Sequence, residues 1–404
     1  MIDHTSNVAA PAGRSEAMKL LPIMAAVFMA YLVIGVAMPV LPLHVHQGLG
    51  FDSFVVGLVA GSQFAASLFS RMWAGHHTDH KGSKHAVIVG LLVAVASGLL
   101  YLVSLWFVAT PRLSVGILLL GRAVLGVSES FVMTGALSWG VGLLGTQRTG
   151  RAMSWIGTAL YAALAASAPA GTALYAQYGF GAIAVVAAVI PLLALPVVRP
   201  LPATPPTARQ PGGLGKVAGA VWMPGLGLAL SGVGFGATTT FVSLLYAARN
   251  WDAAWLAFTA LSIAFMLGRT LFGHLPDTFG GAKVALVCFL IEALGQSLVW
   301  LAPGAALALI GVTLTGLGYS LVYPALGVEA IRRAPPEARG LAMGTFTVFF
   351  DITMGLGTPI LGGIANWAGL QAVFLVSAMA ALCSTPIAWW LMVTPARQWR
   401  SEHA

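Results

Sequence analysis

Four ionisable residues stand inside long apolar stretches of this sequence: Arg122, Glu129, Glu292 and Asp351. A charge surrounded by hydrocarbon is costly, and such residues are retained where they carry protons, meet a ligand or tie segments together. Arg122 and Glu129 are seven residues apart. On a helix that is almost two turns, so both project from one side, about 10 Å apart along the axis. A water or a bound solute bridges that gap more easily than the side chains do. The bland alternative is Arg122 clamped to helix carbonyls. A carboxyl group held away from water is suited to exchanging a proton, which makes Asp351 the first candidate for a proton site. The alternative for Asp351 is an ion pair that locks two segments. Glu292 reads first as structural and second as a proton carrier.

The elements that position these groups follow from composition. Of 404 residues, 58% are hydrophobic and only 8% charged, whereas soluble domains carry roughly 25% charged residues. Lipid is the solvent that tolerates such a surface. The 48 glycines suit membrane helices, where small residues let backbones approach closely. Apolar runs long enough to span fall near 20–43, 54–74, 86–108, 114–143, 152–174, 180–198, 218–247, 254–273, 284–302, 304–328, 340–364 and 370–393. The fold class expected is therefore an all-α membrane protein of twelve transmembrane helices. An even count places both ends on one side. Lys81, Lys84, Arg148, Arg199, Lys283, Arg332 and Arg333 then fall on that side, against Arg112 and Arg249 opposite. Positive residues accumulate on the cytoplasmic side, so both termini are expected there. Basic residues clustered in short loops also explain the net charge of +8 without nucleic-acid binding. Cys288 and Cys383 both lie in apolar runs, which argues against a disulfide or a cysteine metal site.

Arg199 to Lys216 is rich in proline and glycine and cannot continue a helix. It divides the chain into a six-helix half at 1–199, a cytoplasmic linker at 200–216 and a second half at 217–404. The halves repeat one another. Arg71, Gly75, Asp79 and Gly82 at the end of the second run recur as Arg269, Gly273, Asp277 and Gly280 at the end of the eighth. Gly121 and Gly126 answer Gly311 and Gly316. Gly150, Ala152, Met153 and Pro169 answer Gly340, Ala342, Met343 and Pro359 at one constant offset. Parallel six-helix repeats are a transporter architecture.

These residues carry a family resemblance. Gly75, Asp79, Gly82 and Lys84 match the GxxxD(R/K)xGR(R/K) pattern of the major facilitator superfamily, with His80 and Ser83 departing from it. Arg122 to Gly126 looks like the RxxxG element of its proton-antiporter branch. Gly355 to Gly363 resembles the GPxxGG element of that branch, of which Ser167 to Gly171 is a reduced copy. Stretches such as VLPLHVH, GRAVLGVSESF, SLVYPALGVEAI and TFTVFFDITMGLGTP are similar to bacterial permeases labelled arabinose-efflux-like. The resemblance implies a 12-helix drug/sugar:proton antiporter-like carrier of a bacterial inner membrane. It would act as a monomer without a cofactor, exporting small sugar-like or drug-like solutes; proton symport or facilitated import is the alternative. It also implies a cytoplasmic latch formed by Arg71, Gly75, Asp79, Gly82 and Lys84 with Arg269, Gly273, Asp277 and Gly280. Asp79 would meet a helix end or a guanidinium such as Arg71. The proton-coupling set is then Asp351, Glu129, Arg122 and Glu292.

Aromatic and polar residues on cavity-type helices supply a substrate surface: Tyr31, Gln63, Trp155, Tyr161, Phe235, Tyr319 and Tyr323. Rings stack on planar ligands and their polar edges hydrogen-bond, although each residue alone is as readily packing. Tyr319 and Tyr323 are four apart and share a helix face. His76, His77, His80 and His85 read as solvated loop histidines, as do His44 and His46, so no metal is expected. There is no GxSxG and no Walker-type GxxxxGK, so neither a serine hydrolase nor an ATP-driven pump has local support.

Overall fold

The computed structural model describes residues 12–145, 148–203, 214–335 and 339–394. Every regular element among them is helical. Eleven runs are long and apolar enough to cross a membrane. One of them, Ala152–Val198, is two helices meeting at Gly179, whose φ of 68° leaves the helical region. A side chain there would be strained, so glycine sets the boundary that the sequence spacing predicts. The helices are α1 (Leu20–Gly48), α2 (Ser53–Lys81), α3 (Ser83–Trp106), α4 (Pro111–Leu144), α5 and α6 (152–178 and 180–198), and α7 (Val217–Ala248). They continue with α8 (Ala254–Phe272), α9 (Gly281–Leu301), α10 (Ala305–Arg333), α11 (Leu341–Ala368) and α12 (Leu370–Val393). The chain is a multi-pass membrane protein. Residues 204–213 of the expected linker lie outside the described residues. The membrane side on which α6 ends and α7 begins is called the linker side below, and the opposite one the far side.

The repeated motif has a backbone cause. Gly82 and Gly280 close the turns before α3 and α9 with φ of 88° and 95°, a region that favours glycine. The repeat also governs packing. Gly126 of α4 lies on the carbonyl of Gln63, and Gly316 of α10 lies on the carbonyl of Leu261. At the linker side, Lys84 Nζ caps the end of α6 through the carbonyls of Arg199 (2.6 Å) and Leu201 (2.8 Å). Arg333 Nη2 does the same for α12 through Leu391 (3.0 Å) and Thr394 (2.9 Å). Cations at helix C-termini are favoured by the dipole and by the open carbonyls.

The two halves meet along α2 with α11 and α5 with α8. Two helices of the C-terminal half depart from regular geometry. α10 breaks at Leu321. α11 widens into a π-helical turn at Thr353–Gly357, directly after Asp351; such turns are frequent at functional sites.

Candidate functional site

One face of α2 faces one face of α11, and the fit changes along its length. Nearest the far side, Ser53 N donates to Asn366 Oδ1 (3.0 Å) and Thr358 Oγ1 donates to the carbonyl of Gly57 (2.9 Å). Gly57, Gly61 and Gly362 let the backbones touch there, since a Cβ at any of them would strike the opposite helix. Closer to the linker side, Arg71 forms a bidentate ion pair with Asp351, Nη2 lying 2.8 Å from Oδ1 and Nε meeting Oδ2. The Asp351 side chain is 0% exposed and that of Arg71 24%, so the pair is sheltered from water on the carboxylate side. One turn further on, a Cβ added at Gly75 would meet nothing within 4 Å, and the same holds for Gly344 on α11. The seam is therefore packed on the far side, tied at Arg71–Asp351 and parted on the linker side.

The second seam repeats this order. Thr259 Oγ1 of α8 donates to the carbonyl of Ala165 on α5 (3.2 Å). Tyr161 stacks on Phe265 with ring centroids 3.8 Å apart, and Arg269 lies within electrostatic reach of its hydroxyl. Towards the linker side, Gly157 of α5 again faces open space.

Beside the first tie lies a carboxylate cluster built by three helices of the N-terminal half. Glu129 of α4 accepts from Gln63 Nε2 of α2 (2.7 Å) and from the Tyr31 hydroxyl of α1 (3.3 Å). Arg71 lies within electrostatic reach of it. Across the middle of the molecule run aromatic contacts: Phe64 with Phe350, Phe235 with Tyr319 (5.1 Å, stacked) and Phe265 with Tyr319 (6.1 Å). A narrow cavity sits against this belt, lined by Tyr161, Phe235, Phe265, Thr239, Ser262 and Gly35 among others. Ionisable groups, hydrogen-bonding edges and ring faces thus converge where the halves meet. That arrangement can hold a small organic solute and exchange a proton beside it.

The structure separates several residues that the sequence groups together. Arg122 does not reach the cluster's contacts: its side chain is 5% exposed, and Nε and Nη1 find no acceptor. Tyr323 bonds Thr347 of α11 (2.7 Å), while Tyr319 stacks on Phe235; the break at Leu321 lies between them. Trp155 is 38% exposed near the linker-side end of α5. Arg71 pairs with Asp351 rather than with Asp79, a correction to the motif reading, because α11 brings a buried carboxylate opposite it. Lys84 caps α6, and Gly75 admits no neighbouring helix in this conformation. His77 and His85 bond each other (2.8 Å) and the His76 ring lies tilted against that of His80 (4.0 Å). Among the described residues no three metal-capable side chains group together.

Sequence reasoning missed three things. Glu329 is a fourth intramembrane carboxylate, buried against Arg333 and the backbone N–H of Ala282; its neighbouring arginines hid it as a loop residue. Phe64, Phe265 and Phe350 passed as ordinary core. The partner of Asp351 had a signal in the repeat, since Tyr161 and Asp351 stand at the offset that relates Pro169 to Pro359.

The comparisons agree with this architecture. A model of the Major Facilitator Superfamily matches residues 23–255 and 224–404. An uncharacterised MFS-type transporter of Salmonella typhimurium is 42% identical over 373 residues, covering 92% of this chain and 96% of that one. The MFS-type transporter YhhS of Escherichia coli is 38% identical over 368 residues, 91% of each. Among solved structures, the nucleoside transporter NupG superposes with a TM-score of 0.73 at 15% identity, covering 93% of this chain and 98% of that one. A bacterial homologue of the human lysosomal transporter Spinster, in an inward-facing and occupied conformation, gives 0.73 at 14%, with 96% and 98% covered. The chain belongs to the major facilitator superfamily. It is a membrane transporter of a small solute and not an enzyme.

Proposed function

We propose that this transporter exports a small organic solute, sugar-like or drug-like, across a bacterial inner membrane by exchange for protons. The observation that carries the reading is the Arg71–Asp351 pair between the halves. Antiport requires that the empty, deprotonated carrier stay put and that either a proton or the solute release it. An ionised Asp351 bound to Arg71 supplies that lock. A proton on Asp351 removes the attraction. A solute that takes either partner does the same. Symport needs the opposite rule, a carrier locked when protonated alone, and the pair offers no means for it.

The distribution of basic residues supports a cytoplasmic linker side. On that orientation the packed far side and parted linker side describe an inward-open carrier. Halves at 1–199 and 217–404, joined by 200–216, would rock about the Arg71–Asp351 pair and the Tyr161–Phe265 contact. Glu129, held by Gln63 and Tyr31, is the second proton station. The solute would contact Tyr161, Phe235 and Tyr319 with Tyr31 and Gln63, and Tyr323 and Trp155 line the approach. The latch residues Asp79 and Asp277 engage only once the linker side closes, which fits the open space at Gly75. The carrier is proposed to act as a monomer.

Flux in proteoliposomes with an imposed pH gradient tests the reading. Solute moving against the proton flow supports exchange; solute moving with the protons supports the import alternative and overturns it.

A further inference from the structure

Within the C-terminal half, apart from the Arg71–Asp351 pair, a carboxylate is buried without a counter-charge. Glu292 and Gln296 of α9 are both 0% exposed and, four residues apart, share a helix face. Ser231 of α7 donates to Glu292 Oε2. Gln296 Nε2 faces the carbonyl of Gly234 (3.1 Å) and the hydroxyls of Thr238 (2.9 Å) and Thr315 (3.1 Å). Those hydroxyls donate in turn to the carbonyls of Gly234 and Gly311, at 2.9 Å each. All three partners of the amide are therefore acceptors, which fixes its NH2 towards them. Two acceptor oxygens are left with no donor, Glu292 Oε1 and Gln296 Oε1. The titratable groups beside Glu292 are Cys288 on its own helix and Tyr319 on α10. The packed helices α7 and α12 contain no Lys or Arg at all. On α9, Lys283 sits at the linker-side end, and on α10 Arg332 and Arg333 lie at that end beside Glu329. A fully buried carboxylate needs a compensating positive charge.

We propose that Glu292 and Gln296, with Ser231, form a buried site for a monovalent cation, filled by a proton or by Na+. Carboxylate and amide oxygens are hard donors that suit either ion. Gly234 makes the room, since a Cβ there would come 2.6 Å from Glu292 Oε1. The site is coupled to the centre of the molecule through Tyr319, which lies beside Glu292 and stacks on the cavity residue Phe235.

Thermal unfolding of the purified chain, in Na+ or choline buffer of equal ionic strength across a pH series, tests the site without any transport assay. Anything bound only by the folded chain raises its midpoint. If Na+ fills the site, exchanging choline for Na+ raises the wild-type midpoint by a few degrees. If a proton fills it, the sodium-free midpoint falls as pH rises. In either arm, E292Q abolishes the response. Gly234→Ala abolishes the Na+ response while keeping the carboxylate, and Glu292→Met abolishes the proton response while filling much the same space, so each arm has a second variant should E292Q not fold. The response persists in Asp351→Asn, which keeps this site distinct from the proposed coupling pair. A wild type indifferent to both ions, or a response unchanged in E292Q or in that arm's second variant, overturns the proposal.

Discussion

Asp351 of α11 and Tyr161 of α5 occupy the same place in the two repeats, and each is set against the repeated arginine of the opposite half: Asp351 pairs with Arg71, and Tyr161 lies near Arg269. The arginines are alike but their partners are not. One contact is an ion pair that a proton on Asp351 would break; the other sets a neutral phenol near the guanidinium, with no charge to lose at physiological pH. A symmetric fold thereby acquires one titratable fastener and one permanent one, both at the boundary between its packed and parted sides.

Asp351→Asn is expected to uncouple transport. Removing one partner of a buried pair costs about 3 kcal/mol, and each 1.4 kcal/mol is a tenfold change in an equilibrium. The lock should thus weaken by up to ~100-fold. Gradient-driven flux should collapse while solute exchange at equal pH on both sides survives, measured in the same proteoliposomes.

Tyr161→Asp gives the second seam an ionic tie like the first. The expected result is a slower carrier, because both fasteners must now be released together. Tyr161→Phe removes the hydroxyl near Arg269, keeps the ring that stacks on Phe265, and should leave the rate close to wild type. Its flux should keep the wild-type dependence on the pH gradient. Initial rates at several imposed gradients distinguish these outcomes from a general loss of folding.

Gly57→Val should prevent far-side closure. The added side chain would strike the backbone of Thr358 and Pro359, so the carrier should rest with its far side open. Labelling of a cysteine placed at Asn366 by a membrane-impermeant reagent should speed up in this variant and not in Gly75→Val, whose site faces open space.

Glu329→Gln should lower the unfolding midpoint without altering coupling. Glu329 anchors Arg333, which caps α12, so its loss loosens the end of a helix remote from the ties. A change in the pH dependence of flux in this variant would show that the pair is more than a brace.

Much of the fold was legible because lipid imposes it. Span length, basic-residue asymmetry and the Arg-Gly-Asp-Gly repeat gave twelve helices in two related runs, and Gly179 fell in the predicted gap between 174 and 180. The individual ionisable residues were legible for the same reason, since a charge in an apolar run stands out. Their partners were not. Whether Arg71 reaches Asp79 or Asp351 depends on which helix crosses α2 about three turns before its end, and helix periodicity does not encode a crossing between halves. Arg122 and Glu129 were placed on one side of α4 by spacing alone, but α1 and α2 supply Tyr31 and Gln63 to Glu129 and bypass Arg122. Glu292 was visible as a charge; the amide of Gln296 beside it was not, because a glutamine in a membrane helix raises no comparable alarm.

On the proposed mechanism, an ionised Asp351 on Arg71 holds the carrier with its linker side parted. It is tested most directly by the distance between spin labels on cysteines at Gly75 and Gly344, after replacement of the exposed Cys383. Both sites face open space and admit a label. Double electron–electron resonance on the labelled chain should give a predominantly long distance at neutral pH without solute. Adding Asp351→Asn should shift the population to a short distance as the linker side closes. Identical distance distributions with and without Asp351→Asn would contradict the account.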